Sequence, residues 1–163
     1  ITAVALFASL VIMIHSFRRT VEMWTYQTIS GDLFLTPKLN EINQFRQPIS
    51  PLVAAWFRTL DSEIEIVPNR RYSLRYDNFP YEFEALDLDV FLKYADFFWM
   101  KGEPAKIRPR LGSGEGVIIS EVFSNRTGLT VGDTFKARIE ASLVELPVLG
   151  VVRDYRTQGG VVF

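Results

Sequence analysis

A chain of 163 residues suffices for one domain or two small lobes, and with 48% hydrophobic and 13% aromatic residues it can bury a sizeable core. Eighteen Lys and Arg, dispersed along the chain, against nineteen Asp and Glu leave a formal charge of -1, which argues against a nucleic-acid partner. The absence of cysteine removes disulfides and thiolate chemistry, and a single histidine, His15, closing an apolar run leaves no place for a Ser-His-Asp triad.

Residues 1–14 carry no charge. At 1.5 Å per residue the run spans about 21 Å, short of the hydrocarbon core of a bilayer at about 30 Å. It reads as a signal-peptide core, a buried helix, or the tail of a transmembrane helix that began upstream. A signal peptide calls for a basic start and a small-residue cleavage site, and neither is present. Instead Phe17, Val21, Trp24 and Thr28 continue one helical stripe, so a membrane helix is expected to run unbroken into an amphipathic extension with a tryptophan near the interface. Arg18 and Arg19 favour a cytoplasmic location for the residues beyond them, a weak vote with Glu22 close by.

Gly31 is expected to end the helix, and residues 32–36 read as a strand stopped by Pro37. Residues 40–51 are loop-like and 52–60 form a short helix with Leu52, Val53, Trp56, Phe57 and Leu60 as its apolar positions. Strands are expected at 62–67, at 71–77 with Tyr72, Leu74 and Tyr76 on one face, and at 81–88 after a turn at Asn78. Residues 90–99 suggest a strongly aromatic helix, and 102–116, with two prolines and four glycines, a lobe boundary or crossing loop. A buried strand comes next at 116–120. Ser120 suits an N-cap, Glu121 the positive end of a helix reaching Thr127, and Gly128 a left-handed stop with Leu129 as its apolar contact. Gly132 and Asp133 turn the chain into a strand at 134–139, a second runs from 143 to 152, and 161–163 begins a third, cut short by the end of the chain.

These last fifty residues resemble the FtsX-like, MacB-type family of ABC-transporter permeases. The resemblance rests on the strand ending in Ser-Glu (117–121), Gly128-Leu129, the Val-Gly-Asp turn (131–133), Val-Leu-Gly-Val-Val (148–152), Asp154-Tyr155 and Gly159-Gly160-Val161. Ser16-Phe17-Arg18, Val21, Trp24 and Gly31-Asp32-Leu33 are similar to the exit of that family's first membrane helix. The resemblance covers residues 1–37 and 112–163 and carries no motif in between.

The resemblance implies an α+β, two-lobed, MacB-like periplasmic core domain behind a long N-terminal helix. It divides the chain into the end of the first membrane helix and its extension (1–30), an α+β lobe (31–111) and a β-rich lobe with one short helix (112–163). It also implies a bacterial cytoplasmic membrane location with the domain facing outward, a separate or fused cytoplasmic ATPase, and a second permease copy. Phe17, Val21 and Trp24 would lie on a stiff lever free of proline and glycine. The lever would couple ATP hydrolysis to export or extraction of a lipid, lipoprotein or peptide, with a periplasmic or surface protein as a further partner. The chain is expected to be no enzyme and to hold no cofactor or metal. ATP would belong to the ATPase, and no Gly-x-x-x-x-Gly-Lys-Ser/Thr loop is present.

Other features have plainer readings beside functional ones. Residues 112–116 superficially match a phosphate loop but precede a strand, not a helix. Asp87, Asp89 and Asp96 would be solvated charges or a cation site. Glu63, Glu65, Glu82 and Glu84 would be the outer face of a sheet or an acid/base pair. Asn125-Arg126-Thr127, a glycosylation sequon, falls inside a short helix. Tyr94, Phe97, Phe98 and Trp99 would be core or a contact surface for a lipidic substrate or partner. A membrane-anchored sensor or adaptor without an ATPase is the rival account, and a carboxylate-dependent hydrolase the third.

Overall fold

The computed structural model describes residues 2–28, 31–38, 48–61, 63–139, 142–154 and 156–163. With no proline or glycine to break it, the opening segment forms helix α1, Thr2–Thr28, 27 residues and about 40 Å long. Ser9, Thr20 and Thr25 each donate their hydroxyl to the carbonyl four residues back, so these polar groups are satisfied within the helix. Every side chain from 2 to 22 is exposed.

Two expected strands do not form among the described residues. Residues 32–36 join no ladder, and Leu33, Phe34 and Leu35 are exposed. Residues 63–68 are irregular: the Asp61 carboxylate accepts from the Glu63 amide, bending the chain, and Pro68 delays ladder pairing until Asn69. In both stretches the β-pattern is local, but a strand also needs a partner. Of the loop expected at 40–51, residues 40–47 lie outside the described residues. Helix α2, Pro51–Leu60, starts one residue before the expected position, with Ser50 as N-cap and proline in its first turn.

Strands β1 (Asn69–Tyr76) and β2 (Phe79–Leu86) form the expected hairpin, Tyr72 opposite Phe83 and Leu74 opposite Tyr81. Asp77 takes the turn's left-handed position, φ 49°, which aspartate tolerates better than most residues. The aromatic helix expected at 90–99 is shorter and starts earlier. Helix α3, Leu88–Tyr94, is capped by Asp87 and ends at extended Ala95, and Phe98–Lys101 form strand β3. Rings too numerous for one helix to bury are divided between two elements. The crossing loop expected at 102–116 is largely helix α4, Pro104–Gly112, whose first-turn proline gives up an amide that would have had no partner.

From residue 117 onward the expected elements appear. Strand β4 (Val117–Ser120) leads into helix α5 (Glu121–Thr127), which Ser120 caps and left-handed Gly128 (φ 77°) ends. Strands β5 (Thr134–Ile139), β6 (Ser142–Arg153) and β7 (Val161–Val162) complete the chain. The molecule is α+β, with a seven-stranded sheet in the order β1-β2-β7-β4-β6-β3 and β5 paired to β6. Strands on both sides of residue 111 interleave in it: β2 pairs with β7 and β3 with β6.

Alternation along the strands divides the core between the two faces of the sheet. Val117, Ile119, Val151 and Val162 join Tyr81, Phe83, Phe123 and Phe135 on one face. Ile118, Val152 and Val161 join Leu88, Phe97, Ile107, Leu111, Leu149 and Phe163 on the other.

Candidate functional site

The surface of α1 is the feature least compatible with water. Residues Thr2–Glu22 form a stretch long and apolar enough to cross a membrane, or to serve as a signal sequence, and none of it is buried in the protein. Leu6, Phe7 and Ile12 are about two-thirds exposed or more, at 72%, 68% and 66%. A soluble domain seldom leaves so much contiguous apolar area uncovered. Phe17, Val21 and Trp24 are likewise exposed and continue this surface beyond the most apolar turns. Arg18 pairs with Glu22 one turn on at 2.9 Å.

The four aromatic residues singled out in the sequence do not share one surface. Phe97 is core, 8% exposed, with its ring 4.9 Å from that of Phe163 and 5.4 Å from that of Phe91. Trp99 is half-buried, edge-on to Phe97, and its indole N–H donates to Asp96 at 3.3 Å. Phe98, 38% exposed, lies under the Arg153 guanidinium, and Tyr94, 61% exposed, stands at the end of α3. There Lys93 bonds Glu65 at 2.6 Å and holds that carboxyl below its usual value, and the hydrogen bond from Tyr94 to Glu65 raises the phenol. Of the four, Tyr94 and Phe98 are the exposed ones, and they belong to different elements.

Of the residues behind the family resemblance, Ser120, Gly160 and Val161 meet. The buried Ser120 hydroxyl oxygen accepts from the Phe123 amide at 3.3 Å, capping α5, and from the Val161 amide at 2.9 Å, fixing β7 beside β4. Gly160, with φ 89°, lies so close that a Cβ there would come within 2.8 Å of the Phe123 backbone nitrogen. Asp133 receives the Thr130 amide at 2.8 Å and shapes the Val-Gly-Asp turn. Each of these residues has an architectural reason to be what it is. Tyr155 lies outside the described residues.

Sequence reasoning missed a buried charge cluster on the opposite face of the hairpin from Tyr81 and Phe83. Glu84 was expected on an outer face, yet it is 2% exposed. One carboxylate oxygen accepts from Asn69 at 2.9 Å and Arg71 at 2.8 Å, and the other from Arg156 at 3.0 Å. Arg156 also bonds Asp154 at 2.9 Å and lies over the Phe163 ring. Burial alone would raise the Glu84 carboxyl; the Arg156 charge, then Asn69 and Arg71, outweigh it and hold the group below its usual value. A carboxylate so engaged is ionised at neutral pH with both oxygens occupied, an arrangement suited to clasping and not to donating a proton.

The remaining sites dissolve into local structure. Asp87 caps α3, Asp89 packs its carboxylate against Gly112, and Asp96 pairs with Arg108 at 2.9 Å. Among the described residues no three acidic or histidine side chains gather where they could hold a metal ion. Gly112 ends α4 and the subsequent turn leads to β4, so residues 112–116 open no helix toward a phosphate. Asn125 lies within α5, as expected. No protein-family model matches the chain, and a search of curated proteins finds no match.

Proposed function

We propose that the chain is the extracytoplasmic domain of an ABC-transporter permease of the FtsX/MacB-like kind, together with the end of its first membrane helix. The observation that carries this reading is α1: a 27-residue helix, exposed along its apolar length, continuous through Phe17, Val21 and Trp24 toward a folded α+β domain. Burying such a surface in lipid is favourable by roughly 25 cal/mol per Å² of apolar area, whereas water leaves the whole cost standing. The family resemblance supplies the rest of the reading, and two of its segments, Ser120-Glu121 and Gly159-Gly160-Val161, are joined through the Ser120 hydroxyl.

In this reading α1 is a rigid lever. ATP hydrolysis by a cytoplasmic ATPase displaces it, and the outer domain, paired with a second copy, moves against a lipid, lipoprotein or peptide substrate. The chain itself supplies no nucleotide site and no catalysis. The test is to purify the full-length parent protein in detergent with the ABC ATPase encoded beside it. The reading expects a stable complex whose ATPase activity requires both subunits. A parent protein with a single span and no associated ATPase would instead make this a membrane-anchored sensor or adaptor.

A further inference from the structure

Among the described residues, hairpin β1–β2 is hydrogen-bonded into the sheet along one short strand. Hairpin β1–β2 is joined internally by eight facing pairs, but its link to the rest of the sheet is the two-residue strand β7. Across that seam the register is Glu82 with Val161 and Phe83 with Val162, and the Glu82 amide donates to the Gly160 carbonyl at 3.1 Å. On its other side β7 is held firmly: Phe163 and Ile118 exchange two backbone bonds of 2.9 and 3.0 Å, and Ser120 receives the Val161 amide. The side chains stitch the seam differently on its two faces. On one, Tyr81 and Phe83 pack against Phe123 and Phe135. On the other, Arg156, in the β6–β7 connection, reaches over to Glu84 on β2 while its own segment holds it through Asp154.

We propose that Arg156 is a latch across the β2/β7 seam: closed, it makes hairpin and sheet one rigid unit, and released, it lets the hairpin part from the sheet as a separate element. Geometry favours this over simple core stabilisation. Arg156 and Glu84 lie 72 positions apart in sequence and on opposite sides of the seam, so their bond resists parting of the two halves without strengthening either. Arg71, by contrast, reaches Glu84 within the hairpin and would stay with it on opening. The latch stands on the domain's own geometry; its use in carrying displacement from the membrane helix rests on the permease reading.

Residue-resolved amide exchange on the whole chain in detergent tests the latch. In the unmodified protein under mild urea, the Glu82 amide should open at lower denaturant than the amides bonded between β4 and β6. Arg156→Gln should speed Glu82 exchange about ten- to a hundredfold, the loss expected for hydrogen bonds to a charged group, with the β4–β6 amides rising by no more than that factor and remaining the slower set. Arg156→Lys, which keeps the charge without the planar fork, should fall between, and Lys136→Gln, removing an exposed pair with Glu145, should leave the seam unchanged. An unchanged Glu82 amide in the Arg156 variants, or Glu82 opening together with β4 in the unmodified chain, would each overturn the proposal. A seam that behaves as stated in a protein without an ATPase would overturn the permease reading alone.

Discussion

Ser120→Ala removes one oxygen and leaves two backbone amides without an acceptor. The Phe123 amide loses its cap, a change worth about 1 kcal/mol in typical helices. The Val161 amide is a donor in a buried setting, with Ser120 itself fully buried and Val161 1% exposed, and an unsatisfied buried donor costs about 1–3 kcal/mol. The two sum to about 2–4 kcal/mol. With a urea slope of about 2 kcal/mol per molar, the unfolding midpoint should fall by about 1–2 M. The assay is far-ultraviolet circular dichroism through a urea titration, with Ser124→Ala as comparison. Ser124 donates once, to the Leu129 carbonyl at 2.7 Å, so its loss should cost about 1 kcal/mol. If Ser120→Ala costs no more than Ser124→Ala, the double role of this hydroxyl is wrong, and with it the account of why the Ser-Glu and Gly-Gly-Val segments occur together.

Glu84→Gln should destabilise the fold by about 1.5–3 kcal/mol, because half-buried Arg156 keeps only Asp154 as a charged partner; urea unfolding at neutral pH measures it. The folded Glu84 carboxyl lies below its ordinary value near 4.5, so its contribution is complete above that pH and is lost as pH falls through the lower folded value. Wild type should therefore lose more stability on acidification than Glu84→Gln does, read as midpoints against pH. Burial, with a smaller push from Tyr76, raises the Tyr81 phenol from 10 to about 12, so its contribution is intact below pH 10 and fades between 10 and 12 by up to about 2.7 kcal/mol. Ultraviolet titration should show Tyr81 ionising late, and Tyr81→Phe should remove that step. Gly159→Ala would bring a Cβ within 2.2 Å of the Pro80 carbonyl oxygen, lifting the connector from the hairpin at a cost of about 1–3 kcal/mol in the same urea assay.

The last third of the chain was legible because its signals are local. A capping serine, a left-handed glycine with its apolar follower and strict alternation at 134–139 each act within a few residues, and all survive into the fold. The middle was not, because its outcome depends on partners. Leu33, Phe34 and Leu35 have the composition of a strand and no ladder to join among the described residues. Two prolines and four glycines in 102–116 suggested a loop, yet Pro104 is a helix starter by position. Glu84 alternated with aromatic residues in the way an outer-face carboxylate does. Nothing nearby announced that an arginine 72 positions downstream would fold over it. The aromatic run at 94–99 showed that rings must be buried somewhere, but not that Phe97 would take the core place while Tyr94 and Phe98 stayed outside.

The central claim is that α1 holds an outward-facing domain in a membrane. It is tested most directly by fusing alkaline phosphatase after Phe163 in a bacterial host and locating the activity after a carbonate wash. The account predicts an active enzyme, folded outside the cytoplasm, that stays with the membrane pellet because Thr2–Glu22 is lodged in lipid. Activity released into the soluble outer fraction would make the segment a cleaved signal sequence, and an inactive, cytoplasmic fusion would contradict the account outright.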